Sequence, residues 1–266
     1  MTNVTRSQGE VNQFAEDADF AKSRPFYNRI RLDWTAGQRG KPAVNADILS
    51  ATEAVRMIAD PDFEVIGQGV MTSALVTRGA EGGIMMTTDT TDGDSSILGP
   101  HLDSNQSPWS SITWGTDKEV EWTARFQTGA SVANIVIWAG LKLSTGQSDS
   151  GAGATDANQV FFRVEDDAGL TSNQWEGWSS IAGTATTIDT GMALAVNTDY
   201  LVHIKIDSGR RARMSITDGA GNHWTYRTAE LTDEIDLKPY IAVQLDGASV
   251  GKALTVFGQS ISRIEG

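Results

Sequence analysis

Lys118-Glu-Val-Glu-Trp-Thr-Ala-Arg-Phe-Gln127 is the stretch on which the fold class turns. Val120, Trp122, Ala124 and Phe126 fall on one side of a period of two, and Glu119, Glu121, Thr123, Arg125 and Gln127 on the other. Successive side chains of a strand point to opposite faces, so this is a strand with one buried and one wet face. Tyr200–Ile206 repeats the scheme, with Tyr200, Val202, Ile204 and Ile206 inward and Leu201, His203 and Lys205 outward. Asp207-Ser-Gly-Arg210 then turns the chain, and Ala212, Met214 and Ile216 alternate with Arg211, Arg213, Ser215 and Thr217, which predicts a hairpin. A second turn, Asp218-Gly-Ala-Gly-Asn222, leads into His223–Arg227, whose Trp224 and Tyr226 face the core side of a three-stranded meander.

Outward from the meander the same grammar continues. Val132–Leu143 is apolar on both faces, as in a central strand covered on both sides. Gln159–Glu165, Pro239–Leu245 and Ala253–Ile261 are further strands, and Val70–Val76 and Ile84–Thr88 are weaker candidates. About a dozen strands with frequent turns, and no long helix after residue 60, predict two packed antiparallel sheets over residues 61–266. Ser144–Asn158 and Ala168–Thr187, rich in Gly, Ser and Thr, are expected to be long loops.

Residues 1–60 have a different texture and are expected to form an N-terminal arm. Val11, Phe14, Ala15 and Ala18 would line one side of a short helix. Residues 24–34 alternate charges with aromatic and aliphatic groups and read as extended. A helix from about Asp47 to Ala59 would carry Ile48, Leu49, Thr52, Val55 and Ile58 on one face, closed by Asp60-Pro61 because the residue before proline avoids helical geometry.

Composition narrows the function classes. Apolar residues make up 39% and charged residues 21%, enough to fill a core and unlike a disordered chain. The net charge of −13 opposes a phosphate backbone or an anionic membrane, so neither nucleic acid nor membrane is an expected partner. Arg210, Arg211 and Arg213, the densest basic group, read as a solvated rim beside a turn. There is no cysteine, hence no disulfide and no thiolate metal site, which fits assembly in a reducing cytoplasm. The N-terminal residues lack the apolar run of a signal peptide, and no later stretch is long and apolar enough to span a bilayer.

Chemistry-bearing groupings are sparse. Asp89, Asp92 and Asp94 could surround a calcium ion, but an Asp-Gly-Asp turn is also common on its own account. His101, His203 and His223 lack metal-ligand spacing. Neither a Gly-x-Ser-x-Gly nucleophile elbow nor a phosphate-cradling glycine loop occurs, so no catalytic residue, metal or cofactor is expected. Trp109, Trp114, Trp175 and Trp178 fall in loop-like sequence, where they either plug the ends of a sandwich or contact a partner or a glycan.

The succession "DPDFEVIGQG", "GGIMMTT", "VEWTARF", "VIWAGL", "YLVHIKID…RMSITDG" and "LKPYIAVQLDGAS…ALTVFGQSISRI" resembles the concanavalin A-like jelly-roll sandwich of tailed-phage virion proteins, over some 200 residues. The resemblance implies an all-β antiparallel jelly-roll sandwich with a particle-bound role. On that expectation the protein decorates or cements a capsid, bound to the major capsid protein and to copies of itself as a trimer or dimer on the capsid surface. The arm would then grip neighbouring subunits through Phe14, Phe26, Tyr27, Ile30, Leu32 and Trp34. The alternative is a lectin-like module of a tail fibre or other appendage that holds a host surface glycan. Jelly-roll glucanases present paired carboxylates as Glu119 and Glu121 do, but their pattern has a third acid where this chain has Thr123.

Overall fold

The computed structural model describes residues 27–33, 45–47, 56–60, 63–68, 76–79, 82–100, 114–143, 157–165, 173–247 and 250–264. They form two antiparallel sheets. The first has the strand order β15 (His223–Glu230), β14 (Arg211–Asp218), β13 (Asp199–Ile206), β8 (Glu121–Thr128), β17 (Ala253–Ile264), β6 (Ile84–Thr87) and β5 (Val76–Arg78). A further strand, β1 (Tyr27–Asp33), also pairs with β17. The second sheet runs β12 (Thr184–Ala193), β11 (Gln174–Ile181), β10 (Gln159–Glu165), β9 (Ile135–Leu143), β16 (Leu237–Leu245), β7 (Ser95–Pro100), β4 (Phe63–Gln68), β3 (Arg56–Asp60) and β2 (Asn45–Asp47).

The inward halves of the alternating strands make one core between the sheets. Trp122 and Phe126 of β8, Tyr200 and Ile204 of β13, Ile137 and Leu141 of β9, and Phe162 of β10 are all buried in it. Trp175 of β11 closes one part of this layer, its ring 5.1 Å from Tyr200 and 5.8 Å from Phe126. Burying such rings supplies most of the hydrophobic driving force of a sandwich. The meander, the central strand β9 and the strands β10, β16 and β17 lie where the alternation places them, give or take a few terminal residues.

Gly140 sits mid-strand in β9, opposite Phe161 and Tyr240. A Cβ there would lie 2.4 Å from the Phe161 Cα and 2.5 Å from the Val160 carbonyl oxygen. The absence of a side chain thus sets how closely β9 and β10 approach.

Several expectations are corrected. The loop expected at Ala168–Thr187 contains β11 and the start of β12, a hairpin closed by Ala182 and Gly183 at φ 49° and 84°. Ala182 tolerates the left-handed conformation because its N–H donates to Asn158 Oδ1 (3.1 Å), while the Gly183 N–H donates to the Ala157 carbonyl (2.8 Å). No apolar alternation marks the hairpin in the sequence, because β12 is an edge strand exposed on both faces along most of its length. Arg56–Asp60, the end of the expected helix, is strand β3 paired with β4, and the remainder of that helix from residue 48 lies outside the described residues. The strand expected from Lys118 starts at Glu121, because Glu119 adopts φ 46°. Glu119 and Glu121 are therefore not neighbours on one strand face.

The N-terminal region contributes to both sheets. β1 follows β17 in register from Tyr27↔Ile264 to Asp33↔Gly258, on the side of β17 whose other half pairs with β6. β2 and β3 extend the second sheet beyond β4. The short helix expected within residues 1–22 lies outside the described residues, as do Phe14, Phe26 and Trp34.

Candidate functional site: a charged face on the first sheet

The outward side chains of β8, β13, β14 and β15 form transverse rows, because antiparallel register places residues directly opposite one another. One row reads Glu121, Lys205, Arg213, Arg227, and the next Thr123, His203, Ser215, Thr225. Two hairpins set this register: Ile206↔Ala212 flanks the first turn and Thr217↔His223 the second. The carboxylate of Asp207 caps the first turn by accepting the N–H groups of Gly209 (2.9 Å) and Arg211 (3.0 Å). Asp218 does the same in the second turn with Ala220 (3.0 Å) and Asn222 (2.8 Å).

Charge on this face is organised about Glu121. Its Oε1 is 2.8 Å from His203 Nε2, and its Oε2 accepts from Lys205 Nζ at 3.3 Å. The hydrogen bond to His203, helped by the charge of Lys205, outweighs the cost of partial burial and lowers the carboxyl pKa from 4.5 to about 2. Arg227 pairs with Asp207. Arg213 stands between Lys205 and Arg227, is exposed, and has no ion-pair partner among the described residues. Lys205, Asp207, Arg213, Thr225, Tyr226 and Arg227 line an open groove of about 480 Å³. Tyr226 stacks on Trp224 (centroids 6.0 Å, planes 22° apart) on the core side of β15, opposite the buried Met214, so this strand presents the side chains of Thr225 and Arg227 to the groove.

The tryptophans divide between the two expected alternatives. Trp114 and Trp175 are fully buried core residues, which removes them as contact groups for a partner or glycan. Trp178 faces outward on the second sheet, stacked on Phe161 at 5.8 Å with the Arg163 guanidinium 5.5 Å from its ring. It belongs to a small apolar cluster with Ile97, Val136, Trp138, Phe161, Tyr240 and Ala242. Trp138 and Phe161 are nonetheless only 2% and 4% exposed, and the cavity beside them measures about 10 Å³, room for about one water and no more. Trp109 lies outside the described residues. Tyr27, Ile30 and Leu32, expected as anchors for a partner, lie on β1 within the protein's own first sheet.

The aspartate turn is self-satisfied. Asp89 accepts the Thr90 N–H (2.8 Å), Asp94 the Thr91 N–H (3.0 Å) and Asp92 the Gly247 N–H (2.8 Å). Among the described residues no three His, Asp or Glu side chains converge as a metal site. His203 and His223 face outward as expected, the first on Glu121 and the second with Nδ1 2.8 Å from Thr217 Oγ1. His101 lies outside the described residues.

Arg213 and Arg227 were not picked out by sequence reasoning as a site, whereas Trp224 and Tyr226 face the core as expected. The signal was present: the two turns fix the pairing sums of β13 with β14 and of β14 with β15, so the row of cations follows once the turns are placed. Reading the arginines as a rim beside one turn ignored what lies across the strands from them.

The sequence matches no protein-family model and none of the curated proteins. Solved structures are similar at the level of fold. A Shewanella oneidensis MR-1 protein of unknown function superposes with a TM-score of 0.54 at 12% identity, covering 99% of this chain and 97% of that one. Winged bean acidic lectin, complexed with methyl-α-D-galactose, gives 0.53 at 10% identity over 90% of this chain and 98% of its own. Peanut lectin, bound to a nine-residue peptide, gives 0.52 at 10% over 88% and 97%. Two antiparallel sheets, together with superposition on two lectins along nearly their whole length, show that this chain has the fold of a concanavalin A-like jelly-roll sandwich.

Proposed function

We propose that this protein is a carbohydrate-binding module, with a saccharide lying in the groove across the outer faces of β13, β14 and β15. The observation that carries the reading is the groove itself: an open trough of about 480 Å³ lined by charged and hydroxyl side chains held on paired strands. Sugars carry dense hydroxyls, and such a surface meets them with hydrogen-bonding groups at small entropic cost because strands pre-set its geometry. Winged bean acidic lectin, which is similar in fold and is complexed with methyl-α-D-galactose, favours the same reading. The role is binding without turnover. The hydrogen bond to His203 and the charge of Lys205 hold the Glu121 carboxyl well below its ordinary pKa, which leaves it no proton to donate near neutrality.

Capsid decoration through the leader is the less favoured reading, because β1, β2 and β3 are members of the protein's own sheets. A place on a virion appendage, holding a host surface glycan, is compatible with the sugar reading and remains part of the proposal.

Glycan-array screening followed by calorimetry tests it. Wild-type protein binds at least one saccharide, and Thr225→Trp, which fills the groove, weakens that binding while Trp178→Ala, on the opposite sheet, leaves it unchanged. Equal loss in both variants, or no saccharide bound at all, would refute the site.

A further inference from the structure

We infer that the saccharide held in this groove is anionic, bearing carboxylate or sulfate groups that seat on Arg213; this rests on the groove being a saccharide site. Lys205 and Arg213 are direct cross-strand partners, and so are Arg213 and Arg227. Like charges directly opposite each other destabilise a sheet. At a strand spacing of about 4.8 Å, three cations occupy a row of about 10 Å. Glu121 relieves one end of the row and Asp207 the other, and the central guanidinium is left exposed without a counter-charge among the described residues. A negative group placed there removes both repulsions at once. Arginine suits the task because its planar fork meets carboxylate and sulfate oxygens in pairs.

The net charge of −13 does not oppose this at contact range, since exposed charges are screened beyond about 8 Å at physiological ionic strength. The groove favours sparse over dense negative charge. One unneutralised arginine sits beside the hydroxyls of Ser215 and Thr225, which suits a polyhydroxylated chain with an occasional acid better than a continuous phosphate backbone.

Full-length protein is titrated by calorimetry with hyaluronate, lightly sulfated dextran, neutral dextran and a single-stranded DNA oligonucleotide, at low and at about 0.5 M salt. Both or either of the acidic glycans are expected to bind more tightly than neutral dextran, with affinity falling as salt rises. Arg213→Gln loses about tenfold or more in affinity for the acidic glycan. Arg213→Lys retains part of it, and Lys118→Gln, which removes an equal charge outside the groove, changes it little. Melting curves confirm that each variant is folded. Comparable binding of neutral dextran, unaltered by Arg213→Gln, would overturn the inference while leaving the saccharide site standing. Binding of no saccharide at all would overturn both. DNA binding as tight as that of the best acidic glycan would overturn the inference in favour of an unspecific polyanion face.

Discussion

Glu121→Gln removes one negative charge and keeps the side chain's shape, so its effect on stability can be worked from the geometry. The carboxylate is 27% exposed, receives His203 at 2.8 Å and Lys205 at 3.3 Å, and its pKa falls from 4.5 to about 2 on folding. A pKa depressed in the folded state stabilises above the unfolded value, here 4.5, and the contribution is lost as pH falls through the folded value, here about 2. A shift of about 2.5 units corresponds to roughly 3 kcal/mol at pH 7, about 1.4 kcal/mol at pH 3 and about 0.4 kcal/mol at pH 2. Urea unfolding of the two proteins at pH 7 and pH 3 measures the difference between them, which cancels the titration of every other acid. The gap is expected to close by about half or more on going to pH 3. A gap of equal size at both pH values would show that the charge of Glu121 plays no part and refute the reasoning; a gap near zero at pH 7 would do the same.

Other substitutions probe the remaining links. Trp175→Ala empties part of the core and should cost about 3 to 5 kcal/mol in denaturant unfolding, while Trp178→Ala costs less than half as much. Gly140→Ala forces a methyl group against the backbone of Val160 and Phe161 and should lower stability by about 2 kcal/mol or more, visible as a lower melting temperature. Arg213→Gln should raise stability by a few tenths of a kcal/mol at low salt by relieving Lys205 and Arg227, a gain that about 1 M salt abolishes. Deleting residues 1–33 removes β1 from β17 and should accelerate amide exchange along Gly258–Ile264 but not along Ile137–Leu141 of β9. Unchanged exchange at Gly258–Ile264 would show that β1 is not a stable member of the sheet.

The alternation of apolar and polar residues along β8, β13 and β14 was sufficient by itself to determine the sandwich, because a period of two puts one face of each strand in water and the other against a second sheet. β9 was equally legible, since both of its faces are apolar and only a central position covers both. Periodicity carries no information about strands that bury neither face, which is why β12 read as loop, nor does it say which strand lies beside which. Trp114 and Trp175 looked like contact residues for that reason: sequence shows an aromatic amid polar neighbours, and only the packing of β11 against β8 and β13 shows the ring enclosed. Lys205, Arg213 and Arg227 are far apart along the chain and ordinary one by one. Their interest arises when two hairpin registers set them side by side, because electrostatic energy depends on distance in space and only tertiary structure fixes that distance.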